Sequence, residues 1–365
     1  MIAIIMSLFP FLEAEAQWKY DIPFPAPLDH YPDTVTITFI GDVMMHSRQM
    51  EYDYMDFLTE LSEITEEADI SIANMEFTLA GEPYSGYPSF SAPDGYAGYV
   101  ANCGVDVFLT ANNHILDKGK KGLDRTLRTY ESMRDSCDIQ YTGCSPDEVS
   151  GRRINPLIVA GHGIRFALIN FTYGTNHDHS GGWPAVMKMD MEEVGSMIES
   201  AKKQDADFII AVPHWGTEYQ LKHSRKQHEW AEWLVGNGVD LIVGSHPHVV
   251  QDTTHIDGVP VVFSIGNAIS NMSAKNTRLG LAVKVGFVSH KDGWKEMLEP
   301  ELEFIWCTLP GTLKNTYSTI AVKDYLGRRD EWIDPSDFDN MISTIERIKK
   351  ETGIQYEKIS ATGSR

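Results

Sequence analysis

Two histidines one residue apart close the segment Gly244-Ser245-His246-Pro247-His248. They follow Val239-Asp240-Leu241-Ile242-Val243, an apolar run that reads as a buried strand delivering both imidazoles to its carboxyl end. Imidazole is the commonest side chain for holding a transition metal. The layout recurs along the chain. Ala68-Asp69-Ile70-Ser71-Ile72-Ala73 leads to Asn74 and Glu76, and Val105-Asp106-Val107-Phe108-Leu109-Thr110 leads to Asn112, Asn113 and His114. Ala206-Asp207-Phe208-Ile209-Ile210-Ala211 leads to His214 and Glu218. A fifth run, Val35–Ile40, lacks the leading aspartate but ends in Gly41-Asp42, with His46 behind it.

A single Asp or Asn at a strand end is usually a turn former or a helix cap. A lone loop histidine is usually structural. Five clusters at corresponding positions are hard to explain in that way. Asp42 and Glu76 packed among three histidines also call for a cation, because a buried charge needs a partner. The chemistry expected is divalent metal binding, and mixed imidazole, carboxylate and amide donors suit Mn, Zn or Fe.

Positioning such residues demands particular elements. Short apolar runs bounded by Gly and Asp fit strands buried on both faces. Helix-like stretches such as Gly122–Ser136 and Arg225–Leu234 lie between them. Strand-helix alternation predicts an α/β fold with a mainly parallel sheet, whose carboxyl strand ends gather ligand residues. Further strands are expected at Val261–Ile265, Leu281–Val288 and Glu301–Thr308, and a closing helix at Pro335–Glu351. The expected organisation is a signal segment over 1–16, a Pro-rich linker over 17–33, one domain over 34–310, and a C-terminal extension over 311–365 whose helix packs on that domain. The signal reading rests on the apolar stretch Met1–Leu12 and the small-x-small site Ala14-Glu15-Ala16. Twelve residues are too few to span a bilayer. They predict export, with a periplasmic or envelope-associated location.

The net charge of −21 over 365 residues excludes a nucleic-acid partner, which needs clustered Lys and Arg. The four cysteines, at 103, 137, 144 and 307, form no Cys-x-x-Cys pair, so a cysteine zinc site is not expected. Cys137 and Cys144 stand close enough in sequence for a bridge to be open.

The segments Ile40-Gly41-Asp42-Val43-Met44, Asn74-Met75-Glu76, Ala111-Asn112-Asn113-His114-Ile115-Leu116-Asp117-Lys118-Gly119, His214-Trp215-Gly216-Thr217-Glu218-Tyr219, Gly244 to Gln251 and Ser264-Ile265-Gly266-Asn267 are together similar to the CapA family. These are bacterial capsule and poly-gamma-glutamate synthesis proteins, and the segments occur here in the family's order. The family in turn resembles calcineurin-like metallophosphoesterases. That resemblance implies a four-layer α/β/β/α sandwich with two metal ions at its strand ends. It implies Asp42 and His248 on the first metal, Glu76 as the bridging carboxylate, and Asn113, His214 and His246 on the second. It implies His114 as the group that stabilises the transition state or protonates the leaving group, and Asp117 and Glu218 suit the orienting of ligand histidines or loop. Two positions depart from the phosphoesterase pattern. Met44 stands where Asp-x-His needs a histidine, with His46 as the nearest replacement, and Glu76 stands where an aspartate is usual.

Three functions follow as expectations. In the first, the chain is a metal-dependent, phosphoesterase-like hydrolase acting at the cell envelope on a phosphoester or, as the other option, an amide. Alternatively it is a non-catalytic accessory of capsule polymer synthesis or export, binding an anionic polymer through its metals alongside other capsule proteins. The third reading is a scaffold without turnover, and the ligand set speaks against it.

Overall fold

The computed structural model describes residues 33–178 and 181–354. Strand β1 is Asp33–Val43, β2 is Ile70–Met75, β3 is Val107–Leu109 and β4 is Gln140–Thr142. They run parallel in that order. Beyond β1 the sheet continues antiparallel through Leu279–Ser289, Glu301–Thr308 and Ser318–Ala321. Two short strands, Asn267–Ile269 and Lys295–Met297, bring this sheet to nine among the described residues. A second sheet has six strands, in the order Thr253–Ile256, Val259–Val262, Leu241–Val243, Phe208–His214, Ile164–Thr172 and Leu157–Gly161. Its four inner strands are parallel and its two edges antiparallel.

Side-chain alternation with period two explains the layering. Phe208, Ile210 and Val212 face the first sheet, whereas Ile209 and Ala211 on the same strand face outward. Between the sheets Phe166, Leu168 and Leu241 meet Ile37, Phe39, Ile72 and Val107. Outside the first sheet, Ala73 and Phe108 are covered by Leu123, Leu127 and Tyr130 of the helix Gly119–Ser136. Outside the second, Ile169 and Ile242 are covered by Val194 and Ile198 of the helix Met191–Lys203 and by Trp230 and Leu234 of the helix Arg225–Gly236. The result is the α/β/β/α sandwich. Each buried aliphatic or phenyl side chain stabilises it by roughly 1.5–3 kcal/mol.

The leading aspartates have a structural job. Asp69, Asp106, Asp207 and Asp240 each stand just ahead of a parallel strand. Each accepts a backbone N–H from the neighbouring strand: Thr36 at 2.7 Å, Ser71 at 2.7 Å, Arg165 at 2.7 Å and Ile209 at 2.8 Å respectively. They satisfy amides at the amino end of the ladder that would otherwise lose their partners. They therefore set where each strand begins, and with it where its far end delivers the ligand residues.

Helix ends follow local chemistry. Ser224 and Gln227 form a capping box at the start of Arg225–Gly236. The last helix, Pro335–Thr352, starts at an Asp334 cap and ends at Gly353, whose φ of 80° is left-handed. Its residues Phe338, Met341, Ile345 and Ile348 join the core between the sheets. Arg278 and Asp337 tie it down through a bidentate pair at 2.5 and 2.6 Å, with the guanidinium over Trp306.

The hairpin Leu157–Gly161 and Ile164–Thr172 was not anticipated from the sequence. All four cysteines are free thiols. No helix among the described residues is long and apolar enough to cross a membrane. The expected signal segment, the linker up to Pro32 and the last eleven residues, 355–365, lie outside the described residues.

Candidate metal centre

The carboxyl ends of the parallel strands of both sheets converge. Asp42 lies at the end of β1, Asn74 and Glu76 at the end of β2, and Asn113 and His114 on the loop after β3. His214 ends Phe208–His214, and His246 and His248 follow Leu241–Val243. All are buried. Two glycines permit the approach. A Cβ on Gly41 would lie 1.9 Å from the Gly266 carbonyl oxygen, and one on Gly244 would lie 2.2 Å from that of Phe263. Only glycine lets these strand ends close on one another.

Contacts across the two sheets build the centre. Asn113 Oδ1 is 2.8 Å from His214 Nε2. Asn74 Nδ2 donates to Asp42 Oδ1 at 2.7 Å and lies 3.3 Å from His214 Nδ1. Asp42 Oδ2 is 3.2 Å from His248 Nδ1 and 3.4 Å from the His246 amide. His248 Nδ1 lies 2.9 Å from Asn267 Oδ1, and its Nε2 lies 3.7 Å from Glu76 Oε1. Ser245 Oγ lies 3.0 Å from His214 Nδ1. A hydrogen bond on one ring nitrogen that orients the other is how metal-binding histidines are held.

Glu76 sits at the middle. Its Oε1 is 3.7 Å from His214 Nε2, 3.7 Å from His248 Nε2 and 4.0 Å from His114 Nε2. That oxygen is buried without a hydrogen-bond partner among the described residues, and so is His246 Nδ1. Burial, and then the neighbouring Asp42 carboxylate, hold the Glu76 carboxyl well above the usual carboxylate range. Burial pushes the His246 imidazole down to about 3 and that of His214 well below its ordinary value, so both are neutral donors. Neutral imidazoles, clustered carboxylates and an orphaned oxygen between them are what a divalent cation would satisfy. Two donor groups can be drawn, Asp42–Glu76–His214 and Glu76–His246–His248, with ligand atoms within 4.8 Å of one another. Glu76 is common to both, the place of a bridging carboxylate.

His114 stands beside this group rather than in it. Its Nδ1 lies 2.7 Å from Asp117 Oδ2, which also accepts the Phe90 amide at 2.8 Å, and the Phe90 ring packs edge-on against it at 4.7 Å. Its Nε2 faces Glu76. Glu218 is half-buried at the rim, and no hydrogen bond joins it to the metal-site histidines among the described residues. Met44 is turned away and packs in the outer core with Val43 and Met45. His46 lies beyond Phe90, with its Nδ1 held by the Asn271 amide and Gln49, and burial first of all pushes it down to about 4. Asn74, Ser245 and Asn267 were not assigned from the sequence. Asn74 carried a signal: two residues before Glu76 on a strand, it must share that residue's face.

The model of the family described as bacterial capsule synthesis protein PGA_cap matches residues 36–272. The chain is 26% identical over 296 residues to the capsule biosynthesis protein CapA of Bacillus anthracis, covering 76% of this chain and 70% of that protein. It is 26% identical over 294 residues to the PGA biosynthesis protein CapA of Bacillus subtilis, covering 75% and 72%. A solved structure of a candidate 5'-nucleotidase from Staphylococcus aureus matches with a TM-score of 0.50 at 14% identity, over 74% of this chain. The chain spans about half the length of that protein, 54%, and the likeness is one of fold alone.

Proposed function

Because this chain belongs to the bacterial capsule synthesis protein family PGA_cap, we propose that it is a metal-dependent hydrolase of the phosphoesterase type, acting in capsule polymer synthesis at the cell envelope. The observation that carries this reading is Glu76 Oε1, buried and unpartnered among three imidazole nitrogens. Asp42, Glu76, Asn113, His214, His246 and His248 would hold two divalent ions drawn from Mn, Zn or Fe. When bound, such ions supply Lewis-acid stabilisation and a water whose pKa falls to about 7.

The remaining chemistry belongs to side chains. His114 donates its Nε2 proton to the departing alkoxide oxygen as the phosphorus–oxygen bond breaks. Asp117 holds the other ring nitrogen and fixes the orientation of the ring. The Phe90 ring and amide fix the His114–Asp117 pair, so the proton arrives along one direction. Asn267 and Ser245 hold His248 and His214 in orientation. The export expectation from the N-terminal segment supports an envelope location.

The test is hydrolysis of small phosphoesters by metal-loaded protein. Turnover should collapse with chelator. His114→Ala should lower kcat by about 10²–10⁴-fold with metal content unchanged. Metal-dependent binding of polyglutamate without any phosphoester turnover would replace this reading with that of a non-catalytic polymer-binding accessory.

A further inference from the structure

The rim of the metal centre is aromatic. The Tyr173 ring lies 4.5 Å from that of His246 and stacks at 6.5 Å on that of His214. The Tyr219 ring lies 6.4 Å from that of His248. Both tyrosines are tied to the ligand loops by their backbones. The Tyr173 amide donates to the His214 carbonyl at 2.9 Å, and the Tyr219 amide donates to the carbonyl of Pro247, between His246 and His248, at 2.9 Å. Their rings nevertheless stay open, 43% and 41% exposed.

Tyr219 adopts φ 66°, in the left-handed region. A bulky L-residue enters that region only at a cost, and such outliers gather at functional sites. Glycine would meet the backbone need without strain, so the strain here accompanies a ring held over the mouth. The phenol hydroxyls of both tyrosines are neutral donors at ordinary pH. Glu218, the neighbour of Tyr219 in the chain, is half-buried beside it. The mouth therefore offers ring faces, neutral hydroxyls and one carboxylate. Stretched polyanions meet repulsion from Glu218 here. A neutral ring that carries hydroxyls meets stacking faces and a hydrogen-bond acceptor.

We propose that Tyr173, Tyr219 and Glu218 form a subsite for a neutral hydroxylated ring, a saccharide or a nucleoside, carried by the substrate next to the bond that is cut. This deepens the hydrolase reading, and it rests on that reading only for placing the reacting bond at the metal centre.

Direct binding tests it apart from turnover. Methyl α-glucopyranoside, adenosine and a short γ-linked glutamate oligomer are titrated into the full chain by calorimetry. The same titrations use Tyr173→Ala, Tyr219→Gly and, as a control, Trp294→Ala, which removes an exposed ring outside the centre. Tyr219→Gly removes the ring while relieving the backbone, so it should fold. One of the two ring probes should bind, about tenfold more weakly in each tyrosine variant, as loss of one stacking partner predicts, and equally well in Trp294→Ala. Which probe binds identifies the source of the ring. Tighter binding of the glutamate oligomer than of either ring probe, or unchanged ring binding in both tyrosine variants, would overturn the proposal. Ring binding that depends on the tyrosines in a protein that hydrolyses no phosphoester would uphold the subsite and refute the hydrolase.

Discussion

Glu76→Gln separates the metal site from the fold that carries it, because it should raise stability without metal and remove most of the stabilisation that metal brings. Glu76 Oε1 is a buried acceptor without a partner, set beside the buried Asp42 carboxylate. Leaving such a group unsatisfied costs on the order of 1–3 kcal/mol, and more when it is charged. The amide keeps the shape and removes the charge. In a domain of this size one kcal/mol corresponds to roughly 2 °C in Tm, so in EDTA the variant should melt roughly 2–6 °C above the wild type. The pH dependence has a fixed sign. A carboxyl held above its unfolded value binds protons on folding, so its contribution to stability falls as pH rises from the unfolded value of 4.5 toward the folded one. The gap between the metal-free proteins should therefore widen from pH 5 to pH 8. Metal at a hundred times its Kd should stabilise the wild type by about 2.7 kcal/mol, or about 5 °C. The variant, without the donor common to both groups, should show less than about 1 °C of that shift. The assay is scanning calorimetry with EDTA, Mn or Zn, paired with elemental analysis. A variant that melts below the wild type in EDTA, or that keeps the full metal shift, would refute the reasoning.

Three further perturbations test the placement of individual residues. Met44→His should gain no metal by elemental analysis and should lose about 2–4 kcal/mol in urea denaturation, because the new imidazole enters an apolar layer rather than the site. Met44→Leu should cost less than about 1.5 kcal/mol. Asp106 is pushed up to about 6, by burial first, against the hydrogen bond from Ser71 and with Asp138 adding repulsion. Its protonated form is favoured on folding, so its contribution weakens as pH rises from 4 through 6; Asp106→Asn, which keeps an acceptor for Ser71, should match the wild type at pH 4 and exceed it by on the order of 2 kcal/mol at pH 8. Asp337→Ala leaves Arg278 buried against Trp306 without its partner and should cost about 3–5 kcal/mol by denaturant titration, most of it recovered when Arg278→Met is added.

What could be read from the sequence, and what could not, divides along the distance between partners. A strand end and the ligand that follows it are neighbours in the chain, so Asp42, Glu76, Asn113, His114, His214, His246 and His248 were legible from local pattern and resemblance. The recurrence of Asp69, Asp106, Asp207 and Asp240 was legible too, but its purpose was not. Each aspartate acts on a strand that lies 31 to 42 residues earlier. The hairpin Leu157–Thr172 escaped notice because it ends in Asn170 and Thr172 rather than in ligand-type histidines. Asn170 nevertheless braces the β3 loop, its Oδ1 accepting the amides of Thr110 and Ala111. The grouping of ligands was least legible of all. It depends on contacts such as Asn113 to His214 and Asp42 to His246, whose partners are 101 and 204 residues apart and lie on different sheets. No periodicity within either strand encodes that register. It comes from closure of the apolar layer between the sheets, which fixes how far one set of strand ends slides along the other. Substitutions in that layer, at Phe39 or Ile210 for example, act on the metal centre without touching it, because they change the register that brings Asp42 to His246.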